Sequence, residues 1–246
     1  MLFERAGTEI RLVRKGEKSP TTPADVERIS YLSGEREGEM ATIVLPKARI
    51  NLAWFNLSAV LPFNLRPQDF EMAMRDVYDF LHDTNTFLVN KGLPRLDDTL
   101  RSANMSGFLS DMLTDSLAKH ARNMARNAYH NGHPDLLVGG VYPNNSVKSG
   151  RDGVEIKATG KKGGAVDTHG ARDQYMCVFV YRLDRDPNKP AQARAPLEFY
   201  QIFLFGVTVA DFRNNPRGTL GTRTSTLLHK EGIKKLRDNW VYREDP

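Results

Sequence analysis

Residues 153–159 read Gly-Val-Glu-Ile-Lys-Ala-Thr, and together with residues 132–138 they form the most informative part of the chain. Apolar and polar side chains alternate along residues 153–159 with a period of two, which is typical of a β-strand. Glu155 and Lys157 are two residues apart, so both side chains leave the same face of that strand. The sequence therefore predicts a strand that aims a carboxylate and an ammonium group in one direction.

Residues 132–138, Gly-His-Pro-Asp-Leu-Leu-Val, predict a neighbouring strand that Asp135 opens. If the two strands form a hairpin, the Asp135 carboxylate lies beside Glu155. Mg²⁺ is usually held by one or two protein carboxylates with water and phosphate oxygens, so this pair predicts a Mg²⁺ site, with Mn²⁺ as a substitute. The backbone carbonyl of Ile156 is a further predicted ligand. Lys157 is placed to stabilise charge that develops on a phosphate during hydrolysis.

The surrounding periodicities predict a mixed α/β sheet with helices before and after it. Helical spacing of apolar residues predicts helices over residues 67–89, 106–129 and 224–239. Short β-type runs predict strands over residues 135–141, 153–159, 174–183 and 199–209.

Pro134-Asp135, nineteen intervening residues and then Glu155-Ile156-Lys157 resemble the signature of the PD-(D/E)XK nuclease superfamily. The resemblance covers about residues 100–185 and is closest to type II restriction endonucleases. It implies a restriction-endonuclease-like core, a central mixed sheet flanked by helices. It also implies that Asp135 and Glu155 ligate the metal and that Lys157 is catalytic. We expect a nuclease core over residues 99–246, after an N-terminal extension over residues 1–98 that serves recognition or dimerisation.

Many members of this superfamily add an acidic ligand from the helix before the first strand. Here that helix offers Asp111 and Asp115, and the resemblance implies that one of them joins the metal site. The structural alternative is a surface ion pair between Asp115 and Lys119, four residues later.

Positive charge predicts an anionic partner, which we take to be double-stranded DNA. Lys and Arg exceed Asp and Glu by five, and the sequence pI is about 9.3. His133 is expected to contact a phosphate or to have a structural role. The alternative for the basic segments is a solvated surface. The predicted DNA-binding residues are Lys148, Arg151, Lys161, Lys162, His169, Arg172, Gln174, Arg217, Arg223 and Lys234.

These observations favour a cytoplasmic, Mg²⁺-dependent type II restriction endonuclease that acts as a homodimer alongside a separate DNA methyltransferase. One cysteine, Cys177, excludes an intramolecular disulfide framework and a Cys-rich zinc site. No apolar run of membrane-spanning length or signal-peptide type is present. Two alternative functions stay open: a structure-specific or repair endonuclease of the same superfamily, and a non-catalytic DNA-binding or scaffold protein in which Asp135, Glu155 and Lys157 are incidental. The structural alternative for the two strands is a surface hairpin with a solvated Glu155 and Lys157 face.

Overall fold

The computed structural model describes residues 2–6, 9–13, 42–162, 166–168, 170–215 and 225–244. The chain forms two compact units, Met1–Thr42 and Ile43–Pro246. In the first unit, strand β1 (Leu2–Ala6) pairs antiparallel with β2 (Glu9–Val13). The second unit contains all the residues predicted above to form the sheet and its helices.

Among the helices of the second unit, the first has the bounds closest to those predicted from the sequence. Pro67 occupies the first helical turn, where its missing N–H costs nothing, and the Asp69 carboxylate accepts the Arg66 N–H at 2.8 Å. The prediction of a helix over residues 67–89 is confirmed. The helices of this unit are α1 (Pro67–Asn90), α2 (Leu96–Thr99), α3 (Ser102–His120) and α4 (Lys230–Asp238).

Most strands of the second unit belong to one six-stranded mixed sheet of order β11-β8-β7-β5-β4-β3. Strands β5 and β7 are parallel, and every other neighbouring pair is antiparallel. A smaller sheet has the order β6-β10-β9. The strands are β3 (Met124–Arg126), β4 (Leu136–Val138), β5 (Gly153–Thr159), β6 (Asp167–Thr168), β7 (Gln174–Arg182), β8 (Glu198–Val207), β9 (Phe212–Asn215), β10 (Ser225–Leu228) and β11 (Trp240–Arg243).

Two predicted helices are shorter than expected because strands replace their ends. The helix predicted over residues 106–129 ends at His120, and residues 124–126 pair with β4 instead. The helix predicted over residues 224–239 begins at Lys230, after strand β10. In both places the backbone hydrogen bonds of sheet pairing prevail over a helical spacing of apolar side chains.

The two faces of the large sheet are covered by different elements. Helices α1 and α3 pack on one face, together with the side chains of Val154, Ile156 and Ala158. The opposite face carries Met176 and Val178 and is covered by α4 and β10. Glu155 and Lys157 are the register partners of Met176 and Val178, so they share this second face.

The structure does not divide the chain between residues 98 and 99, where the N-terminal extension was predicted to end. Helix α1 is part of the main core, and the rings of Phe70 and Phe179 lie 6.1 Å apart. The apolar face of α1 is needed to cover the sheet, which places it in the same unit. The coarse prediction of a mixed sheet flanked by helices is confirmed. Among the described residues, no helix is both long and apolar enough to span a membrane.

Candidate metal centre

Glu155 and Lys157 lie in the middle of β5, on a sheet that is otherwise apolar at this point. The Glu155 side chain is only 3% exposed, whereas Lys157 is partly exposed. Lys157 Nζ donates to Glu155 Oε1 at 2.6 Å. The same-face prediction is confirmed, and the alternative of a solvated Glu155 face is wrong because the carboxylate is buried.

Asp135 lies at the start of β4, directly beside this pair. Strand β4 pairs with β5 only through Leu136 and Leu137, so the Ile156 N–H lies beyond the paired segment. The Asp135 Oδ2 atom accepts that N–H at 2.9 Å and lies 3.7 Å from Lys157 Nζ. The predicted hairpin, with Asp135 beside Glu155, is therefore present. Its carboxylate also satisfies a backbone donor that would otherwise have no partner in the sheet.

Asn127 fixes the loop that carries Asp135. Its side-chain amide donates to the carbonyls of Pro134 and Val147 at 3.0 and 2.8 Å and accepts the N–H groups of Tyr129 and Val147. All four hydrogen-bonding positions of the amide are thus used. A Cβ atom at Gly132 would collide with the Asn127 side chain and the Val147 carbonyl, so glycine is required there. The loop geometry before Asp135 is strongly specified.

His133 completes the group of polar side chains around Glu155. Its Nδ1 atom lies 3.1 Å from Glu155 Oε2, and because a carboxylate only accepts, Nδ1 carries the proton in this contact. Its backbone N–H donates to the Lys148 carbonyl at 3.1 Å, and its carbonyl accepts the Gly150 N–H at 2.8 Å. For His133 the sequence predicted a phosphate contact or a structural role, and its contact with Glu155 was not predicted. The sequence feature that could have indicated this contact is the position of His133 directly before Pro134-Asp135.

The charges in this cluster are unequal. Burial, and then the neighbouring Glu155 carboxylate, raise the pKa of Asp135 to about 6. Burial also acts to raise the pKa of Glu155, but the hydrogen bond from His133 and the charge of Lys157 outweigh it and hold that pKa at about 2. The two carboxylates likewise raise the pKa of Lys157 against the effect of burial. Glu155 is therefore ionised at neutral pH, whereas the ionised form of Asp135 lowers the free energy of unfolding.

The donor set fits a divalent cation. One ligand atom each from His133, Asp135 and Glu155 can be chosen so that all three lie within 4.8 Å of one another. Adjacent ligands at about 2.1 Å from an octahedral ion lie about 3.0 Å apart, which matches the 3.1 Å between His133 Nδ1 and Glu155 Oε2. Asp135 and Glu155 are thus brought together as predicted. The Ile156 carbonyl remains a predicted further ligand.

Asp111 and Asp115 lie on α3 but are engaged elsewhere. Asp115 Oδ1 is 2.6 Å from an Arg126 guanidinium nitrogen, and Asp111 Oδ1 is 3.6 Å from another. Both acids are well exposed, and neither belongs to the group of three side chains described above. The alternative partner of Asp115, Lys119, instead contacts Asp76 at 3.0 Å.

Seven of the ten predicted DNA-binding residues lie in the part of the chain that the structure describes. Lys148 and Arg151 are exposed in the loop before β5, and the Lys148 carbonyl contacts His133. Lys161 and Lys162 are exposed beyond the other end of β5. Gln174 is buried at the start of β7, two residues after the half-buried Arg172. His169, Arg217 and Arg223 lie outside the described residues.

Lys234 lies on α4, which covers the same sheet face as Glu155 and Lys157. It lines an open groove with three further cations and two acids, so the groove carries net positive charge. The charged lining residues are Arg213, Lys230, Lys234, Arg237, Glu231 and Asp238.

No protein-family model, curated protein or solved structure matches the chain.

Proposed function

We propose that the protein is a divalent-metal-dependent endonuclease that hydrolyses phosphodiester bonds in double-stranded DNA, as a type II restriction endonuclease does. The observation that carries this proposal is the buried Glu155 carboxylate, bonded to Lys157 and His133 and placed next to Asp135. The similarity of Pro134-Asp135 and Glu155-Ile156-Lys157 to the PD-(D/E)XK signature supports it.

A structural role alone explains the buried charges poorly. Taking ions out of water costs several kcal/mol for each ion, and well-packed apolar side chains often replace a buried ion pair without loss of stability. On this sheet face the register partner of Glu155 is Met176, and the next residue of β7 on the same face is Val178; both are buried and apolar. A sheet face with such neighbours has little structural need of a carboxylate, so we assign Glu155 a chemical role.

The side chains divide the work of hydrolysis. Asp135 and Glu155 would hold Mg²⁺, or Mn²⁺ in its place, and the bound ion supplies Lewis-acid polarisation of the scissile phosphate. Lys157 is held beside both carboxylates, where its positive charge stabilises negative charge that develops on the phosphate. The partial exposure of Asp135, Lys157 and His133 above the buried Glu155 leaves the centre open to a polymeric substrate.

The charge distribution supports DNA as the substrate. Lys148 and Arg151 precede the catalytic strand, Lys161 and Lys162 follow it, and Lys234 lies on the helix that covers the same sheet face. Exposed cations of this kind bind phosphates along the backbone and position the duplex. Cutting both strands needs two centres, so the proposal includes a homodimer. It also includes a separate methyltransferase that protects host DNA.

Digestion of phage DNA by the purified protein tests the substrate class. Discrete fragments with Mg²⁺ or Mn²⁺, abolished by EDTA, are expected for a site-specific enzyme. A smear, or selective cutting of branched DNA, would support a structure-specific or repair endonuclease instead. DNA binding without cleavage at any metal concentration would refute both nuclease proposals and leave a non-catalytic DNA-binding protein.

A further inference from the structure

We infer that His133 is a third side-chain ligand of the metal and that it biases the centre toward a first-row transition ion, such as Mn²⁺, over Mg²⁺. This inference rests on the proposed function, since it refines the cofactor of the same centre. It assigns a role to a residue that lies outside the Asp135, Glu155 and Lys157 pattern.

His133 is positioned to share a cation with Glu155. His133 Nδ1 is 3.1 Å from Glu155 Oε2, the carboxylate oxygen opposite the one bound by Lys157. Lys157 therefore occupies one oxygen of Glu155 and His133 faces the other. A cation that binds the second oxygen at about 2.1 Å would take the place of the Nδ1 proton of His133. Once that proton is released or moves to Nε2, the Nδ1 lone pair can fill the adjacent octahedral position without a large shift of either side chain.

The backbone that carries the His133 imidazole is held in place. The His133 N–H donates to the Lys148 carbonyl, and the His133 carbonyl accepts the Gly150 N–H. The backbone of His133 also forms an isolated β-bridge with Ser149. The next residue, Pro134, has its carbonyl held by Asn127. A ligand fixed on such a frame loses little conformational entropy when it binds a metal.

The donor atoms of the centre also favour a transition ion, because His133 adds a nitrogen to the carboxylate oxygens. Asp135 and Glu155 alone offer oxygen ligands, which suit Mg²⁺, Ca²⁺ and Mn²⁺ equally well. Neutral imidazole is a preferred ligand of the transition ions and a poor one for Mg²⁺. A nitrogen ligand added to two carboxylates therefore raises the affinity of the centre for Mn²⁺ and the other first-row transition ions more than its affinity for Mg²⁺.

Metal titration of the full chain by calorimetry tests the inference, with Mn²⁺ and Mg²⁺ as separate probes. We expect His133→Ala to weaken Mn²⁺ binding by about tenfold or more while Mg²⁺ binding changes much less. His130→Ala, which removes an exposed histidine three residues earlier, is the matched control and should leave both affinities unchanged. His133→Asn keeps a polar side chain beside Glu155 and replaces the alanine variant if that variant does not fold.

Electron spin echo spectroscopy of bound Mn²⁺ gives an independent readout. A coupling to an imidazole nitrogen should appear in the unaltered protein and in His130→Ala, and it should be absent in both His133 variants. If the coupling persists in them, or if Mn²⁺ affinity is unchanged while Glu155→Gln abolishes it, His133 is no ligand and the proposed function stands. If the unaltered protein binds neither ion, the proposed function itself fails.

Discussion

Replacing Asp135 by asparagine should stabilise the metal-free protein at neutral pH, although it should abolish DNA cleavage. The variant removes a carboxylate that is half-buried beside Glu155. It keeps an oxygen that can still accept the Ile156 N–H, which Asp135 accepts at 2.9 Å. The predicted gain follows from the elevated pKa, because a raised carboxyl pKa means that folding disfavours the charged form.

The size of the gain follows from the pKa of Asp135. It is about 6 in the folded protein against 3.8 for an unperturbed group, and each pH unit of difference corresponds to about 1.4 kcal/mol. Below pH 3.8 the carboxyl is protonated in both states and costs nothing. Between pH 3.8 and about 6 the folded state binds more protons, so the free energy of unfolding falls as pH rises. Above this window the loss reaches about 3 kcal/mol, and Asp135→Asn should recover most of it.

Urea unfolding at pH 3.5 and pH 8 in EDTA, followed by far-ultraviolet circular dichroism, measures this difference. Asp135→Asn should match the unaltered protein at pH 3.5 and exceed it by up to about 3 kcal/mol at pH 8. Asp115→Asn is the matched control: it removes an exposed acid paired with Arg126 and should cost less than about 1 kcal/mol. Mn²⁺ at about a thousand times its dissociation constant should reverse the order, because the unaltered protein then gains about 4.1 kcal/mol, more than the advantage of the variant.

An Asp135→Asn variant that is no more stable than the unaltered protein at pH 8 would refute this reasoning. The same holds for a gain of equal size at pH 3.5 and pH 8, because the effect would then not come from the charge of Asp135.

Three further predictions concern the stability of the second unit. Phe179→Ala should lower the free energy of unfolding by about 3 to 5 kcal/mol in urea titrations, because its buried ring packs between Phe70 and Phe199; a loss below 1 kcal/mol would contradict this. Asp97→Ala should cost about 3 to 5 kcal/mol by leaving the Arg95 guanidinium buried without its partner, whose Oδ2 lies 2.8 Å away; stability equal to that of the unaltered protein would argue against the pair. Burial opposes ionisation of Asp76, but hydrogen bonds from Ser116, His120 and Lys119 lower its pKa to about 2. Its contribution of about 2 kcal/mol should therefore be present above pH 4 and lost between about pH 4 and 2, and Asp76→Asn should show a weaker loss of stability over that range.

Local patterning predicted the strand that holds the proposed metal centre. Period-two alternation over residues 153–159 gave strand β5 with its observed bounds and the shared face of Glu155 and Lys157. Helical spacing and Pro67 likewise gave α1 to within one residue. These features follow from interactions between residues close in the chain, which is why the sequence indicates them directly.

Features that depend on distant contacts were missed. Strand β11 was not predicted, since the burial of Tyr242 against Phe55, with ring centres 4.8 Å apart, joins residues from opposite ends of the second unit. The packing of α1 on the sheet also depends on distant contacts, and it joins a helix of the predicted N-terminal extension to the main core. His133 lies 22 positions before Glu155 in the chain, and its contact with Glu155 depends on a loop whose shape Asn127 sets.

Cleavage by three single variants tests the central claim most directly. Asp135→Ala, Glu155→Ala and Lys157→Ala should each abolish Mg²⁺- or Mn²⁺-dependent cutting of duplex DNA while gel-shift assays in Ca²⁺ show that DNA binding survives. Asp115→Ala should cut DNA as the unaltered protein does. Retained cleavage in any two of the first three variants would contradict the assignment of this centre.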